Sequence, residues 1–476
     1  MKTYEYANLD AVGLRDRISR GAVTAAEVER VARQAIESVN PEVNALTAPL
    51  YEPALDASPT GVLAGVPFLI KDSGPFARGQ AFAVGSRAIR GAVAPADHPL
   101  MERFRAGGLV TLGLTTAPEL SLSFATESEL YGVTRNPWNL DRGAGGSSGG
   151  AAALVAAGAV PLAHGNDGAG SLRIPASVCG LVGLKPSRGT VPGAVAWDIG
   201  SGSDLDTGLV VGVELGLTRT VRDTAALLDI AVTTVGSTPS RRFADAAATA
   251  PARQRIAVMT EPWSGDPVDA RVVAVTRDVA HLLQWIGHTV EQARPAIDAD
   301  DVIEGEMLAI YAAGRALIRA PRPPDSRLLE AVSRVVVSEA AAVSAETLAA
   351  SSAAQKRVIA AVDRFFADHD LLLTPTFGRL PLAHGALRYN GVDPDGAAYS
   401  ARSWLRRLVE VGPFTAAFNV SGHPAISLPL GESADGLPIG VQLVAPAGRE
   451  DLLLQMAAQL EQAMPWRDRQ PSIFVD

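Results

Sequence analysis

Apolar residues at Val28, Val31, Ala32, Ala35, Ile36 and Val39 recur at the spacing of one helical face, with charged and polar residues between them. Thr24, with Glu27 three positions later, forms the pattern of a capping box for that helix, and Asn40-Pro41 is where it should end. The pattern changes at Gly65. From there, short continuous apolar runs of strand length alternate with Ala-rich helical stretches, most clearly at Val66 to Ile70, Leu109 to Leu114 and Val160 to Ala163. Continuous runs are what strands covered on both faces require, so the chain reads as α/β, with a buried, largely parallel sheet between helices.

A stretch rich in Thr, Ser, Ala and Pro, about 233–252, is the best candidate for an exposed connection. Apolar runs resume at Ile256 to Met259. Residues 301–367 then form a long Ala-rich helical section, broken at Pro321, Pro323 and Pro324, before strand-like runs return at Leu371 to Leu373, Ala425 to Leu430 and Ile439 to Val444. Strands on either side of that section are expected to join one sheet. The chain, 1–476, is therefore read as a single domain with a helical insertion, the alternative boundary lying near residue 240.

At 47% hydrophobic and 20% charged, the 476 residues suit a large globular core rather than a disordered chain. Forty-two basic against 51 acidic residues leave a net charge of −9, with no basic run to follow a phosphate backbone, so nucleic acid is not an expected partner. No apolar stretch approaches the roughly 20 residues that span a bilayer, and no membrane association is expected. The single Cys179 excludes an internal disulfide and fits a reducing, cytoplasmic setting. Seven scattered histidines show no ligand spacing, and the glycine loop at 143–150 lacks the Lys-Ser/Thr of a nucleotide cradle. Neither a metal nor another cofactor is expected.

Three features carry candidate chemistry. Lys71 closes the run Val66 to Ile70, where a lysine is often only the point at which a strand meets water. The block Gly143-Ala144-Gly145-Gly146-Ser147-Ser148-Gly149-Gly150 precedes a short helix-forming stretch, and its plain reading is a loop whose serines cap that helix. In Asp167-Gly168-Ala169-Gly170-Ser171-Leu172-Arg173, small residues before a serine let several backbone N–H groups converge, as an oxyanion requires.

Taken together, these features resemble the amidase signature family. Ser171 lies 24 positions after Ser147, Arg173 and Cys179-Gly180 follow, and Leu184-Lys185-Pro186, Arg135-Asn136-Pro137-Trp138-Asn139, Asn419-Val420-Ser421-Gly422 and Gly436-Leu437-Pro438-Ile439-Gly440-Val441-Gln442 extend the likeness over most of the chain. The resemblance implies a central mixed sheet flanked by helices on both faces. It also implies hydrolysis of a small-molecule amide through a covalent acyl-enzyme, releasing ammonia or an amine. Ser171 would be the nucleophile, Ser147 a proton relay after a cis Gly146-Ser147 peptide, and Lys71 the final base. The backbone N–H groups of Gly168, Ala169, Gly170 and Ser171 would hold the oxyanion, supported by Asp167 and Arg173. A basic Lys71 requires its pKa to fall from about 10.4 toward about 7 to 8, on the order of 4 kcal/mol, which burial can supply.

One departure is Ala169, where many members have glycine; it is tolerable if the backbone there avoids positive φ. The run from Ala163 to Gly180 and the segment Gly448 to Leu454 look like the subgroup that hydrolyses aminohexanoate cyclic dimers. An α/β-hydrolase esterase is the main rival, since Gly145-Gly146-Ser147-Ser148-Gly149 fits a nucleophile elbow with His384 or His423 downstream. Cys179 is read as a core residue rather than a nucleophile. Pro186 to Val195 lacks the Tyr-Gly-Arg-Val-Ser stretch of the family's tRNA-dependent glutaminase subunits, which favours a free-standing enzyme. A homodimer is the default assembly.

Overall fold

The computed structural model describes residues 1–193, 211–232, 242–320 and 323–476. Strand β1 (Val66–Lys71) pairs in parallel with β2 (Leu109–Thr115). A separate sheet contains β3 (Leu162–Asp167), β4 (Val182–Lys185), β5 (Val213–Thr218), β6 (Arg255–Val258), β7 (Thr289–Gln292), β8 (Leu371–Pro375), β9 (Ala425–Glu432) and β10 (Pro438–Val444). Their spatial order is β7-β6-β8-β10-β9-β4-β5-β3. Strands from before and after the helical section thus share one sheet.

The expectation of a largely parallel sheet is corrected. Only the pairings of β6 with β7 and with β8 are parallel in this sheet; all other neighbours are antiparallel. The apolar runs misled because burial on both faces, not strand direction, makes a run continuous. β3, β4, β5, β8 and β10 are buried at every residue. Those strands and their covering helices share one main apolar core.

Helix α1 (Ala25–Val43) buries the expected face, including Val28, Val31, Ala35 and Val39. Thr24 caps it by accepting from the Glu27 N–H at 3.1 Å, but the Glu27 carboxylate pairs with the N-terminal ammonium of Met1 instead of closing a capping box. Nor does α1 stop at Asn40-Pro41. It runs through Pro41 to Val43, and Asn44 then turns left-handed at φ 51°. The Asn40 side chain accepts from the N–H groups of Ala45 and Leu46 and fixes that exit.

The site is framed by α2 (Gly149–Ala156), α3 (Arg173–Cys179), α4 (Ala299–Ile318), α5 (Ala331–Ala342), α6 (Ala345–Phe365), α7 (Ala401–Val411) and α8 (Ala416–Ser421). The helical section therefore comprises α4, α5 and α6; α4 ends before the prolines, of which Pro321 lies outside the described residues. Of the expected connection at 233–252, residues 233–241 also lie outside them, and a short helix spans Phe243–Ala247. Among the described residues no helix is long and apolar enough to cross a membrane.

Candidate active site

Lys71 is the last residue of β1 and is fully buried. Its Nζ donates to Ser147 Oγ at 2.6 Å, to Asn166 Oδ1 at 2.6 Å and to Ser148 Oγ at 3.1 Å. Burial pushes the ammonium down from its ordinary 10.5 to about 7, against the opposing charges of Glu214, Asp167 and Asp72. Lys71 can thus be neutral near pH 7 while a hydroxyl lies within proton-transfer distance.

Ser147 follows a cis peptide from Gly146. The glycine block is packed rather than loose: a Cβ on Gly146 would lie 2.6 Å from the Ser123 carbonyl oxygen. α2 begins two residues after Ser147 and leads back into β3, whose end carries Asn166 and Asp167. This short return brings the loop at Ser171 to the same place.

Asp167 organises that loop. Its carboxylate accepts from the N–H of Gly170 at 2.7 Å and of Leu172 at 3.1 Å, and forms a 2.9 Å ion pair with Arg173; both side chains are fully buried. Burial alone would raise the Asp167 carboxyl, but the Arg173 charge and hydrogen bonds outweigh it and hold the group below the usual carboxylate range. Arg173 also donates to Gln442 Oε1 at 2.7 Å, Asn419 Oδ1 at 2.5 Å and the Thr415 carbonyl at 3.1 Å, which ties the loop to β10 and α8. Gly170 has φ +135°, and a Cβ there would meet Thr415 Oγ1 at 2.5 Å. Ala169 is not among the residues of positive φ, so the departure from glycine at that position costs the backbone nothing.

The Gly170 N–H is already committed to Asp167. Those of Gly168, Ala169 and Ser171 have no acceptor among the described residues. Ser147, Asn166, Gly168, Ala169 and Ser171 border one cavity of about 70 Å³, with Leu122, Phe124, Ile310, Leu405 and Leu408 on its apolar sides. Ser147 and Ser171 share this cavity without a hydrogen bond between them.

The other sequence candidates are elsewhere. His384 Nε2 lies 2.9 Å from the Leu140 carbonyl, and His423 lies 3.2 Å from Asp363 and stacks on Phe366. Among the described residues neither serine bonds a histidine, which leaves the esterase elbow without its base. Cys179 is buried, its thiol pushed up by burial. No group of His, Cys, Asp and Glu among the described residues is arranged to hold a metal. Sequence reasoning gave no role to Asn166 or Glu306 and read Ser148 only as a helix cap; Ser148 does precede α2, but its side chain makes no capping bond and instead meets Lys71 Nζ and the Asn166 carbonyl. Asn166 lay inside a quoted run, but an amide side chain gives no signal until its neighbours are known.

The Amidase family profile matches residues 25–454. A 6-aminohexanoate-cyclic-dimer hydrolase from Pseudomonas sp. (strain NK87) is 39% identical over 485 aligned positions, covering 98% of this chain and 97% of the relative. A putative amidase AmiC of Mycobacterium tuberculosis (strain ATCC 25618 / H37Rv) is 39% identical, covering 96% and 95%. The solved structure of a 6-aminohexanoate cyclic dimer hydrolase superposes with a TM-score of 0.88 at 38% identity, covering 98% of this chain and 99% of that one. A bacterial aryl acylamidase of the amidase signature enzymes gives a TM-score of 0.82 at 25% identity, covering 98% of each. With the match extending over nearly its whole length, the chain belongs to the amidase family, whose members hydrolyse amide C–N bonds.

Proposed function

We propose that the enzyme cleaves carboxylic amides through a Ser171-Ser147-Lys71 relay and a covalent acyl-enzyme. The observation that carries this reading is the 2.6 Å contact from Lys71 Nζ to Ser147 Oγ, beside a cavity that Ser171 also borders. Neutral Lys71 takes the Ser147 proton as Ser147 takes that of Ser171, and Ser171 Oγ attacks the carbonyl carbon. The N–H groups of Gly168, Ala169 and Ser171, which have no acceptor among the described residues, receive the oxyanion, while Gly170, bound to Asp167, shapes the loop. Collapse of the intermediate breaks the C–N bond, and the nitrogen leaves with a proton returned through Ser147. Water then attacks the Ser171 ester by the same route and releases the acid.

The Ser147–Ser171 hydrogen bond must form when substrate enters, a tightening common in sites that are loose when empty. Asp167 and Arg173 act by holding the oxyanion loop rather than by exchanging protons. The whole chain works as one domain, because α4 supplies Glu306 and Ile310 to a cavity built mainly from earlier residues. The cyclic-dimer hydrolases among the relatives make cyclic aliphatic amides the first substrates to try, with linear ones for comparison, and the apolar walls suit their methylene chains. The acidic balance and lone buried cysteine suit a cytoplasmic enzyme, which cell fractionation tests.

A fluorophosphonate, with peptide mapping, tests the nucleophile. It should label Ser171, fail on Ser171→Ala and react more slowly with Ser147→Ala. Stoichiometric labelling of Ser147 that persists in Ser171→Ala would overturn the assignment.

A further inference from the structure

The cavity wall contains a carboxyl that the proposed chemistry does not use. Glu306, on α4, borders the same cavity as Ser147 and Ser171, is 3% exposed, and its Oε1 has no hydrogen-bond partner among the described residues. Ser121 Oγ, in the same wall, is also without a partner among the described residues. α4 is held there by packing on α8: Val302 shares an apolar cluster with Ala416, Ala417 and Val420. α8 in turn supplies Asn419 to Asp167 and Arg173, so the wall and the oxyanion loop are mechanically joined.

A buried polar group left unpaired destabilises the empty site, and a ligand atom that pairs it removes that cost. In a pocket whose walls opposite the serines are largely apolar, such a group fixes which substrate fits. The geometry points to Glu306 as a specificity residue that donates its carboxyl proton to the carbonyl oxygen of a second amide in the substrate. This inference rests on the amidase reading and extends it to substrates with two amide groups. The protonated form is favoured by burial first and then by the Asp167 charge; Arg173, Arg188 and Lys185 oppose them and do not prevail. An ammonium-bearing substrate is the rival occupant, since it would draw out the charged carboxylate instead.

The test uses amides of equal chain length: one with a single amide, one with a second amide, and one ending in an amine. The readout is the ratio of kcat/KM for the diamide to that for the monoamide. Glu306→Gln keeps an N–H donor and should keep the preference for the diamide. Glu306→Leu removes the donor and should lower the ratio roughly tenfold. Thermal unfolding of both variants separates misfolding from altered selectivity. Turnover of the monoamide by the wild-type enzyme reports on the amidase reading itself, independently of the ratio. The inference is overturned by a ratio that Glu306→Leu leaves unchanged, or by a preference for the amine-terminated substrate that Glu306→Gln abolishes.

Discussion

Lys71→Met keeps the length and most of the volume of a fully buried side chain while deleting its charge and its three hydrogen bonds. The folded lysine titrates near 7 instead of 10.5, which at about 1.4 kcal/mol per pH unit is a penalty of about 5 kcal/mol on folding at neutral pH. Between those two values the unfolded chain binds a proton that the folded chain does not. Wild-type stability therefore rises with pH through this window, and the penalty is nearly gone above it. Against this, methionine leaves Asn166 Oδ1 without its donor, at about 1–3 kcal/mol, independent of pH.

The two effects have opposite signs. At pH 7 the variant should be more stable than wild type by about 2–4 kcal/mol, and near pH 10 the order should reverse, with methionine less stable by about 1 kcal/mol. Lys185, also brought down to about 7 by burial, is common to both proteins and cancels in the difference. Guanidinium unfolding midpoints at several pH values give the crossing, and kcat with an aliphatic amide should fall by several orders of magnitude in the same protein. A methionine variant less stable at pH 7, with the pH slope of wild type, would refute a neutral lysine in the folded state. Near-normal turnover would refute its role as the base.

Asn166→Asp should raise the Lys71 pKa by placing a carboxylate where the amide oxygen now lies 2.6 Å away, so the acidic limb of the kcat/KM profile should move to higher pH. A limb that stays fixed would mean that another group sets it. Arg173→Met leaves Asp167 charged, buried and without its cation, and should cost about 3–5 kcal/mol in chemical unfolding as well as activity. Gly170→Ala should cost about 1–3 kcal/mol through its left-handed φ and the Thr415 contact, whereas Gly168→Ala, with open space around its Cβ position, should unfold like wild type.

What the sequence could carry was whatever depends on a residue's immediate neighbours. Val66 to Ile70 and Leu371 to Leu373 read as strands because burial on both faces leaves every position apolar, but strand direction leaves no such mark. Lys71 stood out because a charge terminated an apolar run, and Ser171 because small residues preceded it. Asn166, by contrast, acts only because β3 returns beside β1, which sets its amide oxygen against Nζ. The same holds for Asp167 and Arg173. Six positions apart, they could as well have been surface charges; the turn from β3 into α3 folds the guanidinium back onto the carboxylate, and α8 and β10 seal both from water. Glu306 is the furthest case, because its place depends on α4 reaching back over a loop more than a hundred positions earlier. Catalytic candidates were therefore visible as local anomalies, whereas the groups that tune and select became visible only once distant segments were brought together. The relay can stay the same while α4 changes the wall that its substrate meets, which makes that wall the place to look for differences in substrate between amidases of this fold.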